Sequence, residues 1–85
     1  MLALTGPDRQ GDFIALAITS RPHHAQAIAI SEADLLTGSL PVASWIRTDR
    51  IVTLNSSLIV KSLAQASEPL IAAAVSRLCQ QLGLA

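Results

Sequence analysis

Phe13–Ile18 reads FIALAI, an unbroken apolar run set between Gly11-Asp12 and the polar stretch Thr19-Ser20-Arg21-Pro22-His23-His24. A run this short, bounded by turn residues, has the character of a β-strand covered on both faces, although Ala15 and Ala17 are neutral at best for a strand. Upstream, Met1–Thr5 (MLALT) is a second apolar run without polar alternation, and it stops at Gly6-Pro7-Asp8, which is strong turn chemistry. The two runs pair most simply as a hairpin. The first begins with no lead-in, so the chain is expected to be an N-terminally shortened copy of its fold.

Downstream, Gln26–Ile30 (QAIAI) alternates as a half-buried strand does. Ser31-Glu32-Ala33-Asp34 has capping-box spacing with Asp in the Glu place, and Gly38 stands where a short helix would stop. Leu40-Pro41 leads into Ala43–Thr48 (ASWIRT), whose alternation puts Trp45, Arg47 and Asp49 on one face and Ser44, Ile46 and Thr48 on the other. Ile51–Leu54 and Leu58–Leu63 are two further strand candidates, separated by Asn55-Ser56-Ser57. Ser67 is a good helix N-cap, followed by Glu68 and Pro69 in the first turn. Ile71, Val75, Leu78 and Leu82 then recur at helical spacing up to the stop at Gly83. Strands first and one helix last predict a mainly β domain of the α+β kind, residues 1–85, with the helix packed on a small bent sheet or barrel.

Composition narrows the function. With 85 residues the chain makes one small domain with a marginal core, and although 51% of it is apolar, Phe13 and Trp45 are its only aromatic residues. Surplus apolar surface on such a chain is commonly hidden in a partner subunit. Six basic and six acidic residues balance to zero, so net charge points to no nucleic acid, membrane or acidic partner, and any RNA or DNA site must be local. FIALAI is far short of the 18 or so residues that span a bilayer, and Asp8-Arg9-Gln10 falls where a secretory signal needs its apolar region. A cytoplasmic protein without a membrane partner is expected. The single Cys79 lies in the apolar run of the helix and reads as packing.

The motifs of dinucleotide, nucleoside triphosphate, structural zinc, zinc-protease and α/β-hydrolase chemistry are absent from the sequence. His23-His24 could supply two metal ligands, but adjacent residues on an extended chain point to opposite sides, and no cofactor or metal is expected. Asp8, Asp12, Glu32 and Asp34 all fall in turns or caps, where a structural role suffices. Arg47 and Arg50 flank Asp49 as a surface ion pair would. What remains is Ile18-Thr19-Ser20-Arg21 at the end of a buried strand, together with Ser44–Leu54, SWIRTDRIVTL. From the residues alone, Thr19 is a hydroxyl that ends a strand.

The ordered set is more specific than any of its parts. Strand, Gly-Asp, apolar strand, Ile-Thr-Ser, Leu-Pro, Ser-Trp-Ile-Arg-Thr-Asp-Arg-Ile-Val-Thr-Leu and a final amphipathic helix ending in Leu-Gly-Leu resembles the MazF/PemK toxins of type II toxin–antitoxin systems, over essentially the whole chain. The resemblance implies a small, strongly bent β-barrel-like (SH3-like) sheet with helices, a homodimer, and a cognate antitoxin as partner. It implies metal-independent cleavage of single-stranded RNA, usually mRNA, at short sequences, through attack by the neighbouring 2′-hydroxyl. Carried onto this chain, Thr19 matches a hydroxyl that assists at the phosphate and is the catalytic candidate. Ser20, Arg21, Arg47, Arg50 and Thr53 fall in the regions that contact RNA.

One part of the pattern has no counterpart. In that family the catalytic arginine belongs to an Arg-Pro-Ala-x-Val-Leu-Ser segment, and Met1–Thr5 corresponds only to its Ala-x-Val-Leu-Ser part. Arg9 lies in the following turn and does not occupy the catalytic place. Two readings therefore stand: an endoribonuclease toxin whose activity in this shortened form is in question, and a non-catalytic module of the same fold that dimerises or binds antitoxin. A small β-barrel unrelated to that family is the third.

Overall fold

The computed structural model describes residues 1–21, 27–59 and 62–84. Its central strand is the one the FIALAI run predicts: β2 (Asp12–Thr19) follows β1 (Leu2–Ala3) as an antiparallel hairpin, with Leu2 opposite Leu16 and Ala3 opposite Ala15. The connecting turn is held by the Asp8 carboxylate, whose Oδ1 accepts from the amides of Gln10 and Asp12, each at 2.9 Å. Gly11 sits at φ +85°, a conformation that glycine adopts without the Cβ clash other residues meet.

The remaining elements are β3 (Ala27–Ala29), a 3₁₀ turn at Glu32–Asp34, β4 (Leu35–Gly38), β5 (Trp45–Asn55), a 3₁₀ turn at Ser56–Leu58, β6 (Ala64–Ala66) and α1 (Glu68–Gln81). Strands β1-β2-β5-β3 form an antiparallel sheet in that order, and β4 and β6 form a separate two-stranded one. The mainly β, α+β architecture expected from the sequence is present, as a curled half-barrel closed by one C-terminal helix.

The curl has a local cause. Phe13 lies opposite Leu54 and Leu16 opposite Ile51, but Ala17 lies opposite Arg47, so Thr48, Asp49 and Arg50 are inserted in β5 with no partner position on β2. Extra residues on one strand bend it and sharpen its twist. Ala43–Thr48 and Ile51–Leu54, read as two strands, are thus one strand that bends at the insertion.

Both faces of β2 are covered from Ala15 to Ala17, where Leu16 belongs to the core with Leu2, Ile46, Leu70 and Ala74, and Phe13, Ala15 and Ala17 are buried on the other side; Ile14, on the Leu16 face, is exposed. Alternation in β5 holds as read, with Ser44, Ile46 and Thr48 buried and Trp45, Arg47 and Asp49 more exposed. The Thr48 hydroxyl donates to Gln81 Oε1, which ties the inserted segment to the last turn of α1.

Two local expectations are corrected. The turn after Ser31 ends at Asp34, because the Asp34 carboxylate accepts from both the amide (2.8 Å) and the hydroxyl (2.9 Å) of Ser31 and closes the turn on itself; Gly38 ends a strand instead. Leu58–Leu63 is not one strand: Leu58 closes a 3₁₀ turn that Asn55 caps through its side chain, the next strand begins at Ala64, and residues 60 and 61 lie outside the described residues.

Helix α1 has the predicted start and stop. Ser67 Oγ accepts from the Leu70 amide at 3.3 Å, and Gly83 at φ +74° sends its amide to Gln80 while the Leu84 amide reaches Cys79. Its buried stripe, however, is Leu70, Ala74 and Leu78 with Ile71, and Val75 and Leu82 are exposed. Alanine leaves the sheet-facing side flat enough for the helix to approach closely, so the small residue and not the larger Val75 takes the inner position. Among the described residues no helix is long and apolar enough to cross a membrane.

Candidate functional site

Thr19 ends β2 opposite Trp45, and its Oγ1 accepts from the Arg21 amide at 3.1 Å, which turns the chain away from the sheet. A threonine hydroxyl that accepts one bond keeps its proton for donation. Ser20 and Arg21 follow, both exposed. Thr19 and Ser20 stand at the rim of a groove of about 390 Å³ whose walls include Leu2, Ile18, Leu40, Leu63 and Ala66. No carboxylate, imidazole, ammonium or guanidinium side chain is among the described residues that line it.

The nearest cation in the sheet is Arg47. It lies opposite Ala17 on β5, two positions from the partner of Thr19, so both belong to the same face as diagonal neighbours. Such neighbours stand ~7–8 Å apart, within reach of a long side chain. The guanidinium meets Asp49 in a two-point fork, Nε to Oδ1 at 3.1 Å and Nη2 to Oδ2 at 2.8 Å, the ion pair that the sequence suggested. The hydrogen bond to Asp49 holds the Arg47 pKa above its ordinary value; partial burial opposes this and the Asp49 charge adds to it. The fork engages one edge of the guanidinium and leaves the Nη1 end to meet a second anion.

Arg50, in the inserted segment, is exposed. Thr53 is also exposed, but it lies opposite Ile14, five positions along β2 from Thr19 and on the alternate face. At ~3.3 Å per residue that separation is about 16 Å. The structure therefore gathers Thr19, Ser20, Arg21 and Arg47 at one end of the β2–β5 pair and sets Thr53 apart from them. His23 and His24 lie outside the described residues. Among the described residues no three metal-ligating side chains cluster.

The groove itself was not foreseen. Its walls come from β1, β2, β4, β6, α1 and the loop at Leu40–Val42, and no local spacing in the sequence announces a surface assembled from six separate places.

Chemically, this end of the sheet offers a hydroxyl donor, Thr19, at the rim of an apolar hollow, and a cation, Arg47, diagonal to it on β5 that does not line the hollow. The hydroxyl and the cation can hold a phosphate oxygen between them. No curated protein matches the chain. The model of the PemK-like, MazF-like toxins of type II toxin–antitoxin systems matches residues 4–82. With nearly the whole sequence covered by that match and a curled sheet closed by a C-terminal helix, the chain belongs to the PemK-like, MazF-like toxin family.

Proposed function

We propose that this chain is the toxin of a toxin–antitoxin pair, a cytoplasmic homodimer that acts on single-stranded RNA and is held in check by its cognate antitoxin. Thr19, Ser20, Arg21 and Arg47 receive the phosphate at the reacting step, and Arg50 and Thr53 meet the strand at other nucleotides. The observation that carries this reading is the placement of Thr19 and Arg47 as diagonal neighbours on one face, in a chain of this toxin family.

In the reaction, the 2′-oxygen attacks the adjacent phosphorus, the bond to the 5′-oxygen breaks, and the products are a 2′,3′-cyclic phosphate and a 5′-hydroxyl end. Negative charge gathers on the non-bridging oxygens, where the Thr19 hydroxyl donates and Arg47 supplies charge. The 2′-hydroxyl proton must leave, and none of the described side chains that line the groove is titratable; the Met1 amino group, whose pKa burial lowers, borders it. The lack of a side-chain base favours the second reading, in which this chain dimerises or binds antitoxin without cutting RNA.

Incubation with single-stranded RNA in EDTA separates the two. New 5′-hydroxyl ends, produced at the same rate with and without the chelator, support the nuclease, and Thr19→Ala should slow it on the order of 10²-fold. RNA left uncut by a chain that still dimerises or binds antitoxin supports the binding module. An unchanged rate in Thr19→Ala removes the hydroxyl from the mechanism.

A further inference from the structure

Trp45 has no part in holding the phosphate, yet it stands directly beside Thr19. At this end of the sheet β5 runs between β2 and β3, and the register sets Thr19, Trp45 and Ala29 in one cross-strand row and Ala17, Arg47 and Ala27 in the next. Residues directly opposite each other share a face, with their β carbons ~4.5–5.5 Å apart, and positions i and i+2 along a strand share it too. Both rows therefore lie on one face of the sheet, the reverse of the face on which Ile46 is fully buried.

On that face the neighbours of Trp45 and Arg47 are short. Alanines at 17, 27 and 29 and the Thr19 hydroxyl form a low floor from which only the indole and the guanidinium project. No side chain directly across from Trp45 is long enough to cover its ring. Arg47 is long enough, but Asp49 follows it in β5 while Trp45 precedes it, so the two-point fork with Asp49 draws the guanidinium away from the ring. Trp45 itself is half-buried, which holds the indole in place and leaves it accessible surface. The chain has no tyrosine, and Phe13 is 7% exposed, so among Phe, Tyr and Trp only Trp45 has a ring to offer a ligand.

We propose that Trp45 is a stacking platform for a nucleobase of single-stranded RNA, that of a nucleotide next to the phosphate held by Thr19 and Arg47. The proposal rests on the RNA reading of the Thr19 end. Proteins that hold single strands combine cations along the backbone with aromatic rings on which bases lie, a contact that tolerates any base because every base has a π-face. Here hydroxyl, cation and ring share one face within two strand rows, and the alanine floor gives a flat base room beside the indole. Bases inside a duplex are stacked on one another and present no free face, so Trp45 selects for a single strand.

The chain has one tryptophan and no tyrosine, so its intrinsic emission reports Trp45 alone. The probe is a random-sequence RNA decanucleotide, 2′-O-methylated to block cleavage, titrated with the full chain. Anisotropy of a fluorescein-labelled copy measures binding, and quenching of Trp45 by the unlabelled copy measures stacking. Quenching that tracks binding is expected, with none from a duplex of the same length. Trp45→Leu should weaken binding by about 5-fold or more, the low end for a base on an aromatic ring, and Trp45→Phe should restore most of it. Neither variant should change the slope of log affinity against log salt, because no phosphate contact is lost. Binding with unaltered emission overturns the stacking role and leaves the RNA reading standing, whereas absence of RNA binding overturns both. Equal weakening by Trp45→Phe and Trp45→Leu, or a reduced salt slope, also overturns it. Should Trp45→Leu lose the far-ultraviolet circular dichroism of the parent, quenching in the unaltered chain decides the matter.

Discussion

Replacing Ala74 by Leu tests which side of α1 meets the sheet. Ala74 is 0% exposed and clusters with Leu16, Ile46 and Leu70, whereas Val75 is 39% exposed. The two positions are ~100° apart around the helix, so they cannot both face inward equally. The three extra side-chain carbons of Leu have no space at position 74 unless α1 lifts from β5, and overpacking of this kind costs about 1–3 kcal/mol. A chain of 85 residues has roughly 4–13 kcal/mol of stability at 0.05–0.15 kcal/mol per residue, so the loss is a large fraction of the total. At ~4–8 °C per kcal/mol for a domain of this size, the melting midpoint should fall on the order of 10 °C. Val75→Ala should stay within about 0.5 kcal/mol, as exposed substitutions do. Urea unfolding followed by circular dichroism, with both variants at equal protein concentration, measures the pair. A harmless Ala74→Leu together with a Val75→Ala that costs more than about 1 kcal/mol would place the valine stripe inward and refute the packing described.

Gly38→Ala should destabilise the chain by about 2 kcal/mol or more, since Gly38 has φ +75° and an added Cβ would stand 2.1 Å from the Leu63 carbonyl oxygen; loss of amide protection in β4 and β6 ahead of the main sheet would mark the site of the strain. Ser67→Ala removes the oxygen that caps the Leu70 amide and should cost about 1 kcal/mol in the same urea assay, a loss that Ser67→Asp largely avoids. In RNA titrations over a range of salt, Arg47→Ala should reduce the slope of log affinity against log salt by about 0.7, the value of one phosphate contact on a single strand; an unchanged slope would mean that the Asp49 fork keeps Arg47 from the phosphate. Thr53→Ala should leave the rate of the chemical step unchanged even where it weakens RNA binding, because Thr53 lies on the face opposite Thr19.

What the sequence disclosed follows from how far each signal reaches. The FIALAI run, the Asp8–Gly11 turn, the Ser67 cap and the Gly83 stop are local chemistry, and each stands where the residues place it. The burial alternation of Ser44–Asp49 was also legible, because period 2 is written in consecutive residues. The three-residue insertion in β5 was not, since it exists only as a slip against β2 and both strands read normally alone. The inner stripe of α1 was misread for a related reason. Three consecutive alanines, Ala72–Ala74, give hydrophobic periodicity little to distinguish, and the outcome depends on how closely a flat helix face can approach Ile46 and Leu16.

The same limit governs the site. Thr19, Ser20 and Arg21 are consecutive, and their position at the end of β2 could be read directly. That Arg47 joins them while Thr53 does not is a consequence of the slip: it brings Arg47 opposite Ala17, where an unbroken register would have placed Arg50. One irregularity in β5 thus bends the strand and selects which of two arginines stands beside Thr19. A sequence change that restored regular pairing would alter the core and the site together.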